Sequence, residues 1–169
     1  ERMNILTIQL RELNLEGMRH AYEQLIDTGD PDTAAGLSVL SQLLTAEAEY
    51  RKDKKSFALA KKARFRYHAS LASVVTGADR NLDKQTISRL ATGQYIKQGM
   101  SLLITGPTGA GKSYVACALG QQACRQGLKT YYFNCTKLWL RLTQAKKKET
   151  YEKEIRTLSK ADLIILDDF

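Results

Sequence analysis

At 169 residues and 19.0 kDa, the chain has room for one ordinary domain, or for a small one and part of another. Its 43% hydrophobic and 26% charged residues exclude a disordered or fibrous chain, and its apolar runs, those around 102–105 and 163–166 among them, fall far short of a bilayer span of ~20 residues. The net charge of +8 is uneven, with 3 Lys and Arg against 9 Asp and Glu in residues 1–50 and 23 against 9 in the rest, which points the second part toward nucleic acid before membrane, or else marks a solvated surface.

Glu1 to Gln9 has neither the basic start nor the apolar core of a signal peptide, so a cytoplasmic protein is expected. Ile5, Ile8, Leu13, Leu15, Met18, Tyr22, Leu25 and Ile26 recur at helical spacing with Gly17 interrupting. That pattern predicts two short helices, or one kinked at 14–17. Residues 28–32 predict a turn, because Pro31 lacks a donor and disfavours helix at Asp30. A longer helix follows, amphipathic through Leu37, Leu40, Leu43, Leu44, Glu47 and Ala48; its second half, 51–66, holds 8 basic residues and one acid. Residues 1–66 therefore read as a helical module that binds DNA or a partner, 67–83 as a linker, and 84–169 as the start of a second domain.

In that second domain Lys84 to Thr92 predicts a short helix. Leu102-Leu103-Ile104, bounded by Gly99 and Gly106, predicts a strand buried on both faces. A helix over 112–126, a strand over 130–134, helical segments over 136–158 and an apolar strand over 163–166 complete the order. Alternating strands and helices predict an α/β fold, a parallel sheet with helices on both faces.

Two motifs carry chemistry. Gly106-Pro107-Thr108-Gly109-Ala110-Gly111-Lys112-Ser113 matches GxxxxGK[ST] in full, between an apolar strand and a helix. Its glycines let successive N–H groups aim at one phosphate, and the helix that opens there, through Tyr114, adds the positive end of its dipole. Lys112 is placed to reach the β- and γ-phosphates of ATP, and the Ser113 hydroxyl to ligate Mg²⁺. About 55 residues on, Leu163-Ile164-Ile165-Leu166 runs into Asp167 and Asp168. Asp167 is the expected metal carboxylate, and Asp168 the base that polarises the attacking water.

Together these parts resemble the IstB-like transposition helper ATPases, kin of the DnaC helicase loaders in the AAA+ superfamily of P-loop NTPases. The likeness rests on LLIT running into GPTGAGKS, on Ala116-Cys117-Ala118-Leu119-Gly120, on the closing ADLIILDDF, and on the N-terminal module with Leu43-Leu44 and Glu47 to Tyr50. It implies an ATPase that assembles as a homo-oligomer, through its ATPase domains, on double-stranded DNA and recruits a cognate transposase, with no membrane. The loader branch would instead engage a helicase and single-stranded DNA. Channel-facing cations in this clade come from between the second and third strands, here Arg141, Lys146, Lys147 and Lys148. Those residues, and Lys52, Lys54, Lys55, Lys61, Lys62 and Arg64 of the basic run, contact phosphates or simply face water. Tyr95 and Ile96 fall near an adenine pocket by family position.

The superfamily's sheet runs fifth, first, fourth, third, second, so the segment at 102–105 would lack both neighbours here. By that likeness the chain reads as the N-terminal part of a longer ATPase, inactive alone, whose sensor, arginine finger and lid lie beyond Phe169. Three cysteines without CxxC spacing argue against a disulfide framework and a zinc site. Cys117 and Cys124 are expected in the core, His20 and His68 as isolated structural residues, and Trp139 in the core with Leu138 and Leu142 rather than as a base-stacking platform.

Overall fold

A computed structural model describes residues 5–28, 36–77 and 80–168. The chain divides into two compact units, Glu1–Lys55 and Ser56–Phe169. In the first, α1 (Ile5–Glu12) and α2 (Glu16–Thr28) are separate helices that pack on each other. Asn14, with φ at 55°, turns the chain between them; asparagine is among the few residues that tolerate this left-handed conformation. The expected turn at 29–32 and the Leu37 side chain lie outside the described residues.

The third helix, α3 (Gly36–Ala63), begins in the first unit and ends in the second. Met18 and Leu43 are buried in the first unit. Gly17 lies so close to α3 that a Cβ there would stand 2.7 Å from the Ala46 carbonyl oxygen. Glu47, only 6% exposed, accepts the Met18 N–H at 3.1 Å and the Arg51 Nε–H at 2.6 Å. The Met18 N–H belongs to the first turn of α2, where a helix has no acceptor of its own, so Glu47 acts as a cap supplied from another helix.

Burial by itself disfavours ionisation of Glu47. The hydrogen bonds from Arg51 and Met18 outweigh it, and its carboxyl titrates below the ordinary value. The stabilisation is therefore complete above the unfolded titration range and is lost as pH falls through the folded value. Glu47→Gln is expected to cost about 1–3 kcal/mol at neutral pH. Thermal unfolding followed by circular dichroism checks this: the gap between the two proteins should shrink as the pH falls through the lowered titration range of Glu47.

In the second unit α3 stops at Ala63, and Arg64 turns left-handed with φ at 57°. The basic run 51–66 is thus not one helix: Arg64 and Arg66 lie past its end. Residues 67–83, expected as a linker, contribute a 3₁₀ turn at Leu71–Ser73 and the buried Ala69. Ala69 meets Cys117 and Ala118 in a cluster edged by Phe65, Leu71, Val74, Tyr114 and Tyr132. Cys117 and Cys124 are fully buried, and burial pushes both thiols up, away from the reactive thiolate.

Next come α4 (Lys84–Ala91), capped by the Asp83 carboxylate on the Thr86 N–H at 2.6 Å, and α5 (Gln94–Lys97). Then follow α6 (Lys112–Arg125), β1 (Thr130–Asn134), α7 (Cys135–Lys147), α8 (Tyr151–Leu158) and β2 (Leu163–Asp167). The strands pair in parallel from Thr130↔Leu163 to Asn134↔Asp167, and α6 packs on both. Their adjacency is that of the second and third strands in the superfamily order. Ile164 and Leu166 remain 40% and 46% exposed.

The expected strand at 102–105 pairs with no strand among the described residues, and Leu103 is 85% exposed. A strand buried on both faces needs hydrogen-bonded neighbours to hold it. Neither β1 nor β2 lies beside this segment. Among the described residues, no helix is long and apolar enough to cross a membrane.

Candidate nucleotide and metal site

The loop at 106–111 leads directly into α6. Gly111 is the residue before the helix, with φ at 87°, a conformation that glycine adopts without steric cost. The first main-chain bond of the helix runs from the Val115 N–H to the Gly111 carbonyl at 3.0 Å. The N–H groups of Lys112, Ser113 and Tyr114 therefore have no main-chain partner among the described residues, and they carry the positive end of a 14-residue helix. Such a terminus takes a phosphate without further help. Lys112 folds back, its Nζ donating to the carbonyls of Gly106 and Pro107 at 2.9 Å each. Arg80 braces the other side of the loop by donating to the Ala110 carbonyl at 3.1 Å.

At the end of β2, Asp167 meets the start of α6. The Ser113 hydroxyl donates to its Oδ1 at 2.8 Å, and the Tyr132 hydroxyl donates to its Oδ2. Partial burial works against ionisation of Asp167, but these two hydrogen bonds prevail and hold its carboxyl below the usual range. Burial and the facing carboxylate push the Tyr132 phenol up, so it stays a donor.

Asp168 leaves the strand in the left-handed region, φ 56°. Its Oδ2 accepts the Asn134 side-chain amide at 2.7 Å and lies 3.5 Å from Arg66 Nη1. Tyr132 and Asn134 are two apart on β1 and so share one face. The register sets Asn134 opposite Asp167, which is how both side chains reach the carboxylates. The Asn134 amide serves twice, because its oxygen also caps α7 by accepting the Lys137 N–H at 3.1 Å.

The donor set suits Mg²⁺, which takes hard oxygen ligands. Ser113 Oγ and Asp167 Oδ1 stand 2.8 Å apart, near the spacing of about 3.0 Å between adjacent vertices of an octahedron with Mg–O bonds of about 2.1 Å. Among the described residues, no group of three or more His, Cys, Asp or Glu converges on one point. Any metal here would thus draw its remaining ligands from phosphate and water.

Residues 8–169 match the profile of the IstB-like ATP-binding proteins. A protein of Pseudomonas fluorescens, named for ATP binding and for insertion sequence IS1162, is 38% identical over 95% of this chain and 70% of its own length. The chain belongs to the IstB-like ATP-binding family. A relative from Sinorhizobium fredii, likewise named for ATP binding in an insertion sequence, is 34% identical over 95% of this chain and 66% of its own length. The insertion sequence IS21 relative of Pseudomonas aeruginosa is 24% identical over 98% of the chain, which covers 63% of that relative. The chain thus spans about two thirds of the relatives it matches.

In this IstB-like chain the structure brings Lys112, Ser113, Tyr114, Asp167 and Asp168 to one end of the sheet. It adds Arg66, Tyr132 and Asn134, which the motifs did not single out. Tyr95 and Ile96 are half-buried on α5, and among the described residues no hydrogen bond ties their side chains to the loop. The expected phosphate-contacting cations Lys52, Lys54, Lys55, Lys61, Lys62, Arg64, Arg141, Lys146, Lys147 and Lys148 are all exposed. Arg141 is paired with Glu154 at 2.6 Å, Lys54 lies over the Tyr50 ring and Lys146 over the Tyr151 ring. His68 is exposed; His20 is exposed too and meets the Tyr50 ring edge-on.

Trp139 departs from expectation: it is 69% exposed, and Leu140 beside it 63%. The inward stripe of α7 is the buried Cys135 and Ala145 with the half-buried Leu138 and Leu142, at three- and four-residue steps. Trp139 is one residue off that stripe, about 100° around the helix.

Proposed function

We propose that this chain carries the nucleotide- and metal-binding part of an ATP-driven helper of DNA transposition, which assembles on duplex DNA and engages a transposase. The observation that supports this reading best is the 2.8 Å approach of Ser113 to Asp167 beside three N–H groups without a main-chain partner among the described residues, in a chain whose relatives are named for insertion sequences. The loop N–H groups and Lys112 hold the phosphates, while Ser113 and Asp167 hold Mg²⁺, which supplies charge neutralisation on the phosphates when bound. Asp168 accepts the proton of the attacking water, and Asn134 fixes the angle at which it does so. The working unit is a homo-oligomer in which a neighbour's arginine completes the site. Exposed cations of α3 and of α7 and its end supply phosphate contacts that carry no sequence information.

The test is DNA binding by the full-length protein, measured by fluorescence anisotropy with matched duplex and single-stranded probes. ATP-dependent duplex binding that weakens steeply with salt, and that Lys112→Ala abolishes, is the expected result. Preference for single strands, or no binding without an added helicase, would overturn it in favour of a helicase loader.

A further inference from the structure

Arg66 stands against both carboxylates at the end of β2. Its Nη1 is 3.5 Å from Asp168 Oδ2 and 3.7 Å from Asp167 Oδ2. Its guanidinium carbon lies 5.4 Å from the centroid of the Tyr67 ring, which supports it from one side. Among the described residues, the ion pairs of Asp167 and Asp168 are all with Arg66. The other groups on these carboxylates, Ser113, Tyr132 and Asn134, are neutral donors. Lys112 is turned to the loop carbonyls instead.

We propose that Arg66 is a built-in counter-cation of the Asp167–Asp168 pair, which balances the two carboxylates and opposes a free divalent metal at the same place. The proposal rests on the reading of Asp167 as the metal carboxylate. Two adjacent acids would otherwise attract any divalent ion in solution. With a cation already held beside them, a second one arrives against like-charge repulsion. Metal that comes with nucleotide brings phosphate charge to offset that repulsion, so Arg66 favours metal bound to nucleotide over metal alone. Arg66 is half exposed, which leaves its long side chain room to swing outward as the metal enters.

A buttressing role and a counter-charge role predict opposite signs. If Arg66 only props the carboxylates, removing it loosens the site and weakens metal binding. If it opposes metal, removing it tightens binding. Mn²⁺ titrated into the full-length protein without nucleotide, and followed by electron paramagnetic resonance, separates the two.

Arg66→Gln is expected to tighten Mn²⁺ binding roughly tenfold, and Arg66→Lys, which keeps the charge, to stay within about twofold of the unsubstituted protein. Circular dichroism verifies folding, and Arg66→Met provides a second neutral replacement should the glutamine variant misfold. Equal or weaker Mn²⁺ binding by the neutral variants overturns the proposal. Binding of a fluorescent ADP analogue in the presence of a chelator is measured alongside and probes the phosphate loop independently. Its loss in the unsubstituted protein would remove the nucleotide reading, whatever the metal titration shows.

Discussion

Lys112→Ala should weaken ATP binding by roughly two orders of magnitude, the worth of charge-assisted hydrogen bonds from one ammonium group to phosphate oxygens. The fold should hardly notice. Lys112 Nζ donates to two carbonyls, of Gly106 and Pro107, and both residues are exposed, so water can replace the lost donor. Isothermal titration with ATP and thermal unfolding of the same samples check both halves. Retained affinity would show that the loop N–H groups suffice alone. A large fall in melting temperature would show that the lysine serves the loop's shape rather than its ligand.

Gly120→Val carries the largest expected structural effect. An added Cβ at Gly120 would stand 2.5 Å from Phe65 Cε1 and 2.7 Å from Ile165 Cδ1, distances that force atoms apart. Ile165 belongs to β2 and Phe65 edges the cluster around Cys117, so relief requires these side chains, or α6 against β2, to shift. A cost of about 3 kcal/mol is expected, visible as a melting temperature lower by on the order of 10 °C. Because Ser113 sits at the start of the same helix and Asp167 at the end of the same strand, the shift should also part that pair. Mg²⁺-dependent nucleotide binding in Gly120→Val should fall further than binding measured in a chelator.

The phosphate loop and the acids after β2 were readable because each is a local string, in which the chemistry and the turn sit on consecutive residues. The bounds of β1 and α6 were readable for a similar reason: Gly111 and Gly127 punctuate α6, and an aromatic run makes β1. Tyr132, Asn134 and Arg66 were not readable. Tyr132 and Asn134 gain their roles from the parallel register, which pairs β1 with a strand more than 30 residues away. The sequence marked Asn134 only as the end of a strand; its amide gained both partners from where α7 begins and where Asp168 turns. Arg66 was hidden among eight cations, and what distinguished it was the end of α3 three residues earlier.

Trp139 failed for an angular reason, since the inward side of α7 is set by Cys135 and Ala145 with the half-buried Leu138 and Leu142. The segment at 102–105 has the composition of a central strand, and composition does not report whether neighbours stand beside it. Gly17 was seen as a break in a pattern, whereas its surroundings make it a place where two helices touch.

The 54-residue separation of Ser113 and Asp167 has a consequence for the protein's lifetime. These side chains meet when α6, β1, α7, α8 and β2 have all docked, so a ligand that bridges them binds the closed chain and not its opened forms. By mass action, saturation at a hundred times the dissociation constant adds about 2.7 kcal/mol to global stability. Nucleotide supply and turnover of the protein are then linked: when ATP and ADP run low, opened molecules become more common and proteases find them.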